Sequence, residues 1–239
     1  ITTQNYDGSS NFSKTVTLSD ANAVAGSLSP ASITSSAFTA GVANATTAFT
    51  FTSAKTAPAT IKLHAVDVDN VLSSTTEGLA AIRSGRISLK NAYGSELLPL
   101  AVPLESQYWN GTSYIRNQQD SCTTVPASSI AMVNYKNNLS ACETQLAYTS
   151  GTGVLVNGVS KYLRLTKPGV GNNGSVDLRI NLTKADDSTC NSATSTSATS
   201  AALPWFGNSN NLPLHSEDPS ARATFGIFKT PVIYMRENF

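Results

Sequence analysis

Apolar residues recur at every second position through much of this chain. Phe49 and Phe51 alternate with Thr50 and Thr52, Ile61, Leu63 and Ala65 with Lys62 and His64, and Ile87 and Leu89 with Arg86, Ser88 and Lys90. The cleanest run is Val176, Leu178, Ile180 and Leu182, interleaved with Asp177, Arg179 and Asn181. A period of two is the mark of a strand with one buried face. Helical spacing is scarce. Asn157-Gly158, between VLV and VSKYLRL, predicts a type I′ hairpin, because both central positions need positive φ. Asn110-Gly111 predicts a second turn, ahead of a strand over Ser113 to Arg116. Pro99 and Pro103 punctuate LLPLAVPL, and a proline cannot donate to a ladder, so this segment is expected at a sheet edge or as a bulge. Further strands are expected over Ala223 to Phe228 and Val232 to Met235, across a turn at Pro231. The Ser/Thr/Ala-rich tract from Asp187 to Ala202 is expected to be an exposed loop. The fold class these patterns predict is all-β.

Two regions differ in texture. Up to Ser74, short strands are separated by small polar turns, the spacing of an immunoglobulin-like sandwich. The turn-forming run SSTTEG, Ser73 to Gly78, supplies a boundary. The expected organisation is a smaller Ig-like β-sandwich module over residues 1–75, followed by a β-sandwich domain over residues 76–239.

Composition narrows the partners. Of 239 residues, 40% are hydrophobic, enough for a core, while 13% are charged, about half the roughly 25% usual in soluble domains. The net charge is +1. Lys and Arg form no stripe, Arg83 and Arg86 read as solvated strand-end residues, and nucleic acid is not an expected partner. No apolar run approaches the roughly 18 residues of a membrane helix, so no transmembrane segment is expected in the chain. It opens at Ile1 without Met or a signal-peptide pattern. It therefore reads as a mature or excised piece, with any targeting signal outside it. Cys122, Cys142 and Cys190 lack C-x-x-C spacing. In an exported protein two of them would pair. Cys122 with Cys142 is the nearer pair and the one expected, with Cys122–Cys190 and three free thiols as the alternatives.

Candidate chemistry is sparse. His64 lies mid-strand beside Lys62 and reads as a solvated strand residue. His215, near Glu217 and Asp218, could serve a hydrolase as base, but no G-x-S-x-G element surrounds any serine. Asp67, Asp69 and Asn70 in VDVDN offer alternating oxygens at a strand end, with Glu77 able to join them. A hard cation needs six to eight oxygens, so three donors read first as a plain acidic strand-to-linker turn and no cofactor is expected, with calcium as the alternative. Tyr108, Trp109 and Tyr114 flank the Asn110-Gly111 turn, and Trp205 with Phe206 sits between Pro204 and Gly207. Loop aromatics can stack on sugar faces, though sandwich cores also consume aromatics. Asn-x-Ser/Thr sequons at Asn11, Asn44, Asn110, Asn138, Asn173 and Asn181 would be glycan acceptors in a eukaryotic secreted chain, and are chance products in a bacterial one.

Several phrases carry a resemblance. They are GRISLKNAYGSELLPLAVPLESQYWNG, the N-x-x-D-S-C run from Asn117 to Cys122, GNNGSVDLRINL, LPWF, and ARATFGIF followed by MRENF. From about Arg83 onward the chain resembles the C-terminal domain of MshQ proteins, a family named for biogenesis of the mannose-sensitive haemagglutinin (MSHA) type IV pilus of Gram-negative bacteria. The resemblance implies an exported, non-enzymatic protein at the extracellular or outer-membrane surface. Its partners would be pilus or surface-assembly proteins, with cell adhesion as the setting. It transfers no catalytic residue. The alternative expectation is a carbohydrate-binding module that grips a surface glycan through its loop aromatics. Cys122 falls on the family's D-S-C position.

Overall fold

The structure, a computed structural model, describes residues 6–8, 12–53, 55–73, 75, 77–183, 188–191, 194–206 and 218–226. It is nearly all β, with short 3₁₀ turns at Ser35–Ala37, Ala127–Ser129 and Pro204–Phe206. The chain divides into two compact units, residues 1–84 with 108–115, and residues 85–107 with 116–239.

The first unit holds β1 (Val16–Asp20), β2 (Gly26–Ser29), β3 (Ser32–Ile33), β4 (Ala48–Phe51), β5 (Ala59–Asp67) and β6 (Leu79–Ile82). An antiparallel sheet runs in the order β3-β1-β5-β6, and β2 pairs with β4 as a separate antiparallel ribbon. The alternation along β5 is real, but it buries little. Among the described residues of this unit, Ile61 is the one hydrophobic side chain in the buried class. Backbone ties from acidic side chains do much of the holding. Asp20 Oδ1 accepts the N–H groups of Asn22 and Lys62, and its Oδ2 accepts that of Val24.

The second unit contains β7 (Gly85–Leu89), β8 (Ala92–Gly94), β9 (Leu100–Ala101), β10 (Leu104–Trp109), β11 (Tyr114–Arg116), β12 (Ile130–Asn137), β13 (Leu146–Tyr148), β14 (Leu163–Leu165), β15 (Gly174–Ile180), β16 (Ser188–Asn191), β17 (Thr194–Ser197) and β18 (Ser220–Phe225). The tip of the β10–β11 hairpin, residues 108–115, clusters with the first unit. The main sheet has the order β12-β15-β18-β8, antiparallel except for the β18–β8 pair. Every second residue of β15 points into a single core, where Leu104, Ile130, Leu165, Leu178, Ile180 and Phe225 are fully buried. Each such side chain contributes about 1.5–3 kcal/mol by leaving water, so this unit has the hydrophobic anchor that the first lacks.

The proline punctuation and the Asn-Gly signal both have structural counterparts. β9, between Pro99 and Pro103, is an outer strand of the sheet β13-β14-β9. Asn157 and Gly158 have φ of 51° and 75°, and Val156 and Val159 exchange backbone hydrogen bonds across them. Within the tract expected to be an exposed loop, by contrast, β16 and β17 pair antiparallel. The strand expected over Val232 to Met235 lies outside the described residues.

The expected Cys122–Cys142 pair does not form. Cys142 is bonded to Cys190, with the Cα atoms 5.1 Å apart, while Cys122 is exposed and free. The cause lies in the fold. β16 packs against β12 and brings Cys190 to the turn that follows β12, where the Tyr135 hydroxyl also reaches its sulfur at 3.8 Å. Cys122 is held instead in a turn tied to Asp120, whose Oδ1 accepts the Cys122 N–H. The bridge spans 48 residues, and closing a loop of that length in the unfolded chain is worth about 4 kcal/mol in the chain-entropy model. Thiol titration of the native protein is therefore expected to count one reactive group. Cys142→Ser should lower unfolding stability by about 2–4 kcal/mol, whereas Cys122→Ser should stay within about 0.5 kcal/mol of wild type. Two native thiols, or the reverse order of the variants, would contradict this pairing.

Candidate functional site

Asp120 and Ser121 of the N-x-x-D-S-C run are spent on the backbone. Asp120 is 6% exposed, and its Oδ1 accepts the N–H groups of Cys122 and Thr123. Burial alone would push its carboxyl up. The donors around it, the Ser106 hydroxyl first and then Thr123 and Cys122, outweigh that and hold it below the usual carboxylate value. Ser106 Oγ and Asp120 Oδ2 sit in this buried setting without closing an ideal hydrogen bond. The backbone completes a clasp. Gly158 N–H donates to Asp120 O at 2.7 Å, Ser106 N–H donates to Gly158 O at 2.9 Å, and Asn117 N–H donates to Ser106 O at 2.9 Å. Ser121 adds its hydroxyl, which accepts the Asn157 N–H at 3.2 Å. A Cβ at position 158 would lie 2.3 Å from Asn117 O, so the close approach demands glycine.

The VDVDN segment is likewise a self-closed turn. Asp67 Oδ1 accepts the N–H groups of Asp69 and Val71, both at 2.9 Å, and Asn70 takes φ of 61°. Asp69 forms an ion pair with Lys14 at 3.7 Å. Among the described residues, no three His, Cys, Asp or Glu side chains converge as a group able to hold a metal. Glu77 does not join these oxygens but turns to the face of β5. There Lys62 Nζ lies 2.8 Å from its Oε2, while His64 Nδ1 and the Ser73 hydroxyl meet Oε1. His64 is thus no solvated strand residue, as its place beside Lys62 had suggested. It is half-buried against a carboxylate that is itself 3% exposed.

Of the candidate aromatics, Tyr108, Trp109 and Tyr114 are half-buried and Trp205 is exposed. At the tip of the hairpin, Asn110 Oδ1 accepts the N–H groups of Thr112 and Ser113 at 2.9 and 2.8 Å, and Asn110 N–H donates to Ser113 O. Gly111 takes φ of 106° and lies against Ala57. This rigid turn sets Trp109 edge-on to Tyr114, with ring centroids 5.2 Å apart, and Lys55 Nζ lies 5.3 Å from the indole centroid. Tyr108, one position along, faces the other way and carries the Arg83 guanidinium 4.5 Å above its ring. Trp205 belongs to the second unit, on the 3₁₀ turn Pro204–Phe206, and is 65% exposed. Its neighbour Phe206 instead packs on the core.

Lys55 and Arg83 are the members that sequence reading missed. No local pattern marks a cation that meets an aromatic more than twenty positions away. A groove of about 410 Å³ beside β1 and β2 includes Leu18, Val24, Leu28 and Phe49, and the carboxylate at its rim, Asp20, is already saturated by backbone donors. His215 lies outside the described residues.

These features define a disulfide-bonded, nearly all-β domain whose characteristic motif is structural. Residues 83–238 match the family model DUF6701, fourth domain, and the chain belongs to that family. No curated protein and no solved structure matches it. Among the described residues no helix is long and apolar enough to cross a membrane.

The Glu77 cluster yields a pH dependence with a definite sign. The hydrogen bond from His64, and then that from Lys62, lowers the Glu77 carboxyl from 4.5 to about 2. A folded value below the unfolded one means that the ionised group stabilises the fold at neutral pH. That contribution is lost as pH falls from about 4.5 towards about 2. Comparing the wild type with Glu77→Gln by denaturant unfolding should show a stability gap at pH 7 that closes on acidification. A gap that stays constant down to pH 2 would contradict the assignment.

Proposed function

We propose that this domain is a non-enzymatic, exported surface module that acts in biogenesis, display or adhesion of a type IV, MSHA-like pilus. The observation that carries the reading is the fate of the N-x-x-D-S-C motif. Its carboxylate, amides and hydroxyl tie strands together rather than converge on a reacting centre, as expected of a scaffold that works through its surface. The resemblance of the Arg83–Thr123 and Asp218–Asn238 blocks to MshQ C-terminal domains supplies the pilus context. The Cys142–Cys190 bridge supports an oxidising compartment outside the cytoplasm, at the extracellular or outer-membrane surface of a Gram-negative bacterium. Pilus or surface-assembly proteins are the partners of this reading. The short outer strand β9 offers backbone groups for edge-to-edge pairing with one of them.

A second reading, recognition of a surface glycan through loop aromatics, is favoured by a separate observation. Trp109 and Tyr114 are held together on a rigid turn with a lysine at the indole, and Trp205 is exposed.

Deletion of the gene in its own bacterium is expected to reduce the number of surface pili or the attachment of cells to a surface. Normal pilus number together with normal attachment would overturn the leading reading.

A further inference from the structure

We propose that the tip of the β10–β11 hairpin is a binding site for acidic polysaccharide, with Trp109 and Tyr114 as the stacking surface and Lys55 as the partner of a uronate carboxylate. The inference rests on the glycan reading above and adds to it the charge of the ligand.

Lys55 differs from the cations that sit in ion pairs. Lys14, Lys62, Lys90 and Arg222 each lie within 4.0 Å of a carboxylate oxygen. Among the described residues no carboxylate pairs with Lys55, and its ammonium rests 5.3 Å from the Trp109 ring centroid. A cation over an indole is held electrostatically and keeps donors to spare. The tip therefore places an uncompensated positive charge beside an aromatic surface.

The surface is organised in advance. Asn110 locks the turn with two backbone acceptances, and Trp109 and Tyr114 brace one another at an interplanar angle of 68°. Little side-chain freedom remains to be lost on binding. The C–H face of a pyranose suits such rings, and Lys55, on a flexible stem, can turn from the indole to a carboxylate on the same sugar. That contact is a charge-assisted hydrogen bond, among the stronger polar contacts available at a surface. One unpaired lysine is too little for a nucleic-acid backbone, where affinity comes from many phosphate contacts. A repeating uronate, with one carboxylate per ring, matches the arrangement.

Calorimetry on the full chain, with trigalacturonate as the acidic probe and galactotriose as the neutral one, separates the possibilities. The wild type is expected to bind the acidic trimer at least about tenfold more tightly. Lys55→Gln should abolish the preference, bringing the affinity for the acidic trimer down to that for the neutral one. Trp109→Ala should remove binding of both sugars, and Trp109→Phe, which keeps a ring in place, should retain part of it with the preference intact. Equal binding of the two sugars by the wild type, or a preference that survives Lys55→Gln, would overturn the charge inference and leave the glycan reading standing. Binding unaffected by either Trp109 variant would overturn the site. Binding of neither sugar at millimolar concentration would remove the glycan reading and this inference with it.

Discussion

The carboxylate of Asp120 is the constraint around which the larger unit is arranged. A buried acid is costly unless donors converge on it, and here they come from the chain just beyond it, at Cys122 and Thr123. That local closure turns the Asp120 carbonyl toward Gly158, and the Gly158 carbonyl toward Ser106. Three distant stretches meet within one set of backbone hydrogen bonds. The apolar residues on either side, Leu104 on β10, Val125 after the turn and Leu155 before the hairpin, are then delivered to the same core. Packing supplies the energy and the clasp supplies the register, since a slip of one residue would turn each side chain to the wrong face.

The two units are stabilised by different means. The second has a continuous core that spans its main sheet and the β13–β14 ribbon. The first has one buried aliphatic among its described residues and a series of acidic side chains, Asp20, Asp67 and Glu77, that cap turns or pin strands. Such ties are directional and contribute about 0.5–1.5 kcal/mol each, with more for charged groups. A unit built this way responds to pH and to local substitution more than to the loss of one apolar contact. It also carries the aromatic tip that is the best candidate for recognition.

Much of the fold was legible in the chain because its signals are local. The alternation over residues 176–182, the Asn157-Gly158 turn and the proline-bounded outer strand each depend on neighbouring residues and on backbone preferences. What was not legible depends on contacts at long range. The tract around Cys190 reads as low complexity because Ser and Thr carry no hydrophobic period, yet β16 and β17 within it pair antiparallel, with β16 against β12. The nearer cysteine looked like the better partner, since spacing says nothing of which strands will adjoin. His64 and Glu77 sit on either side of a turn that brings them together, and Lys55 reaches Trp109 across more than fifty residues. The candidate site was therefore half visible. Its rings were marked by the turn between them, and its charge was not.

The claim that the Asn117–Cys122 motif is a structural clasp rests most directly on how closely Gly158 approaches it. Two glycines in this unit share a left-handed backbone, Gly158 with φ of 75° and Gly151 with φ of 76°. A Cβ at the first would meet Asn117 O at 2.3 Å, while one at the second would meet nothing within 4 Å. Replacing each with alanine isolates the clasp from the shared backbone cost of about 1–2 kcal/mol. In urea unfolding of the full chain, Gly158→Ala should lose roughly 3 kcal/mol or more, and Gly151→Ala only the backbone cost. Equal losses would mean that the clasp does not hold the domain together.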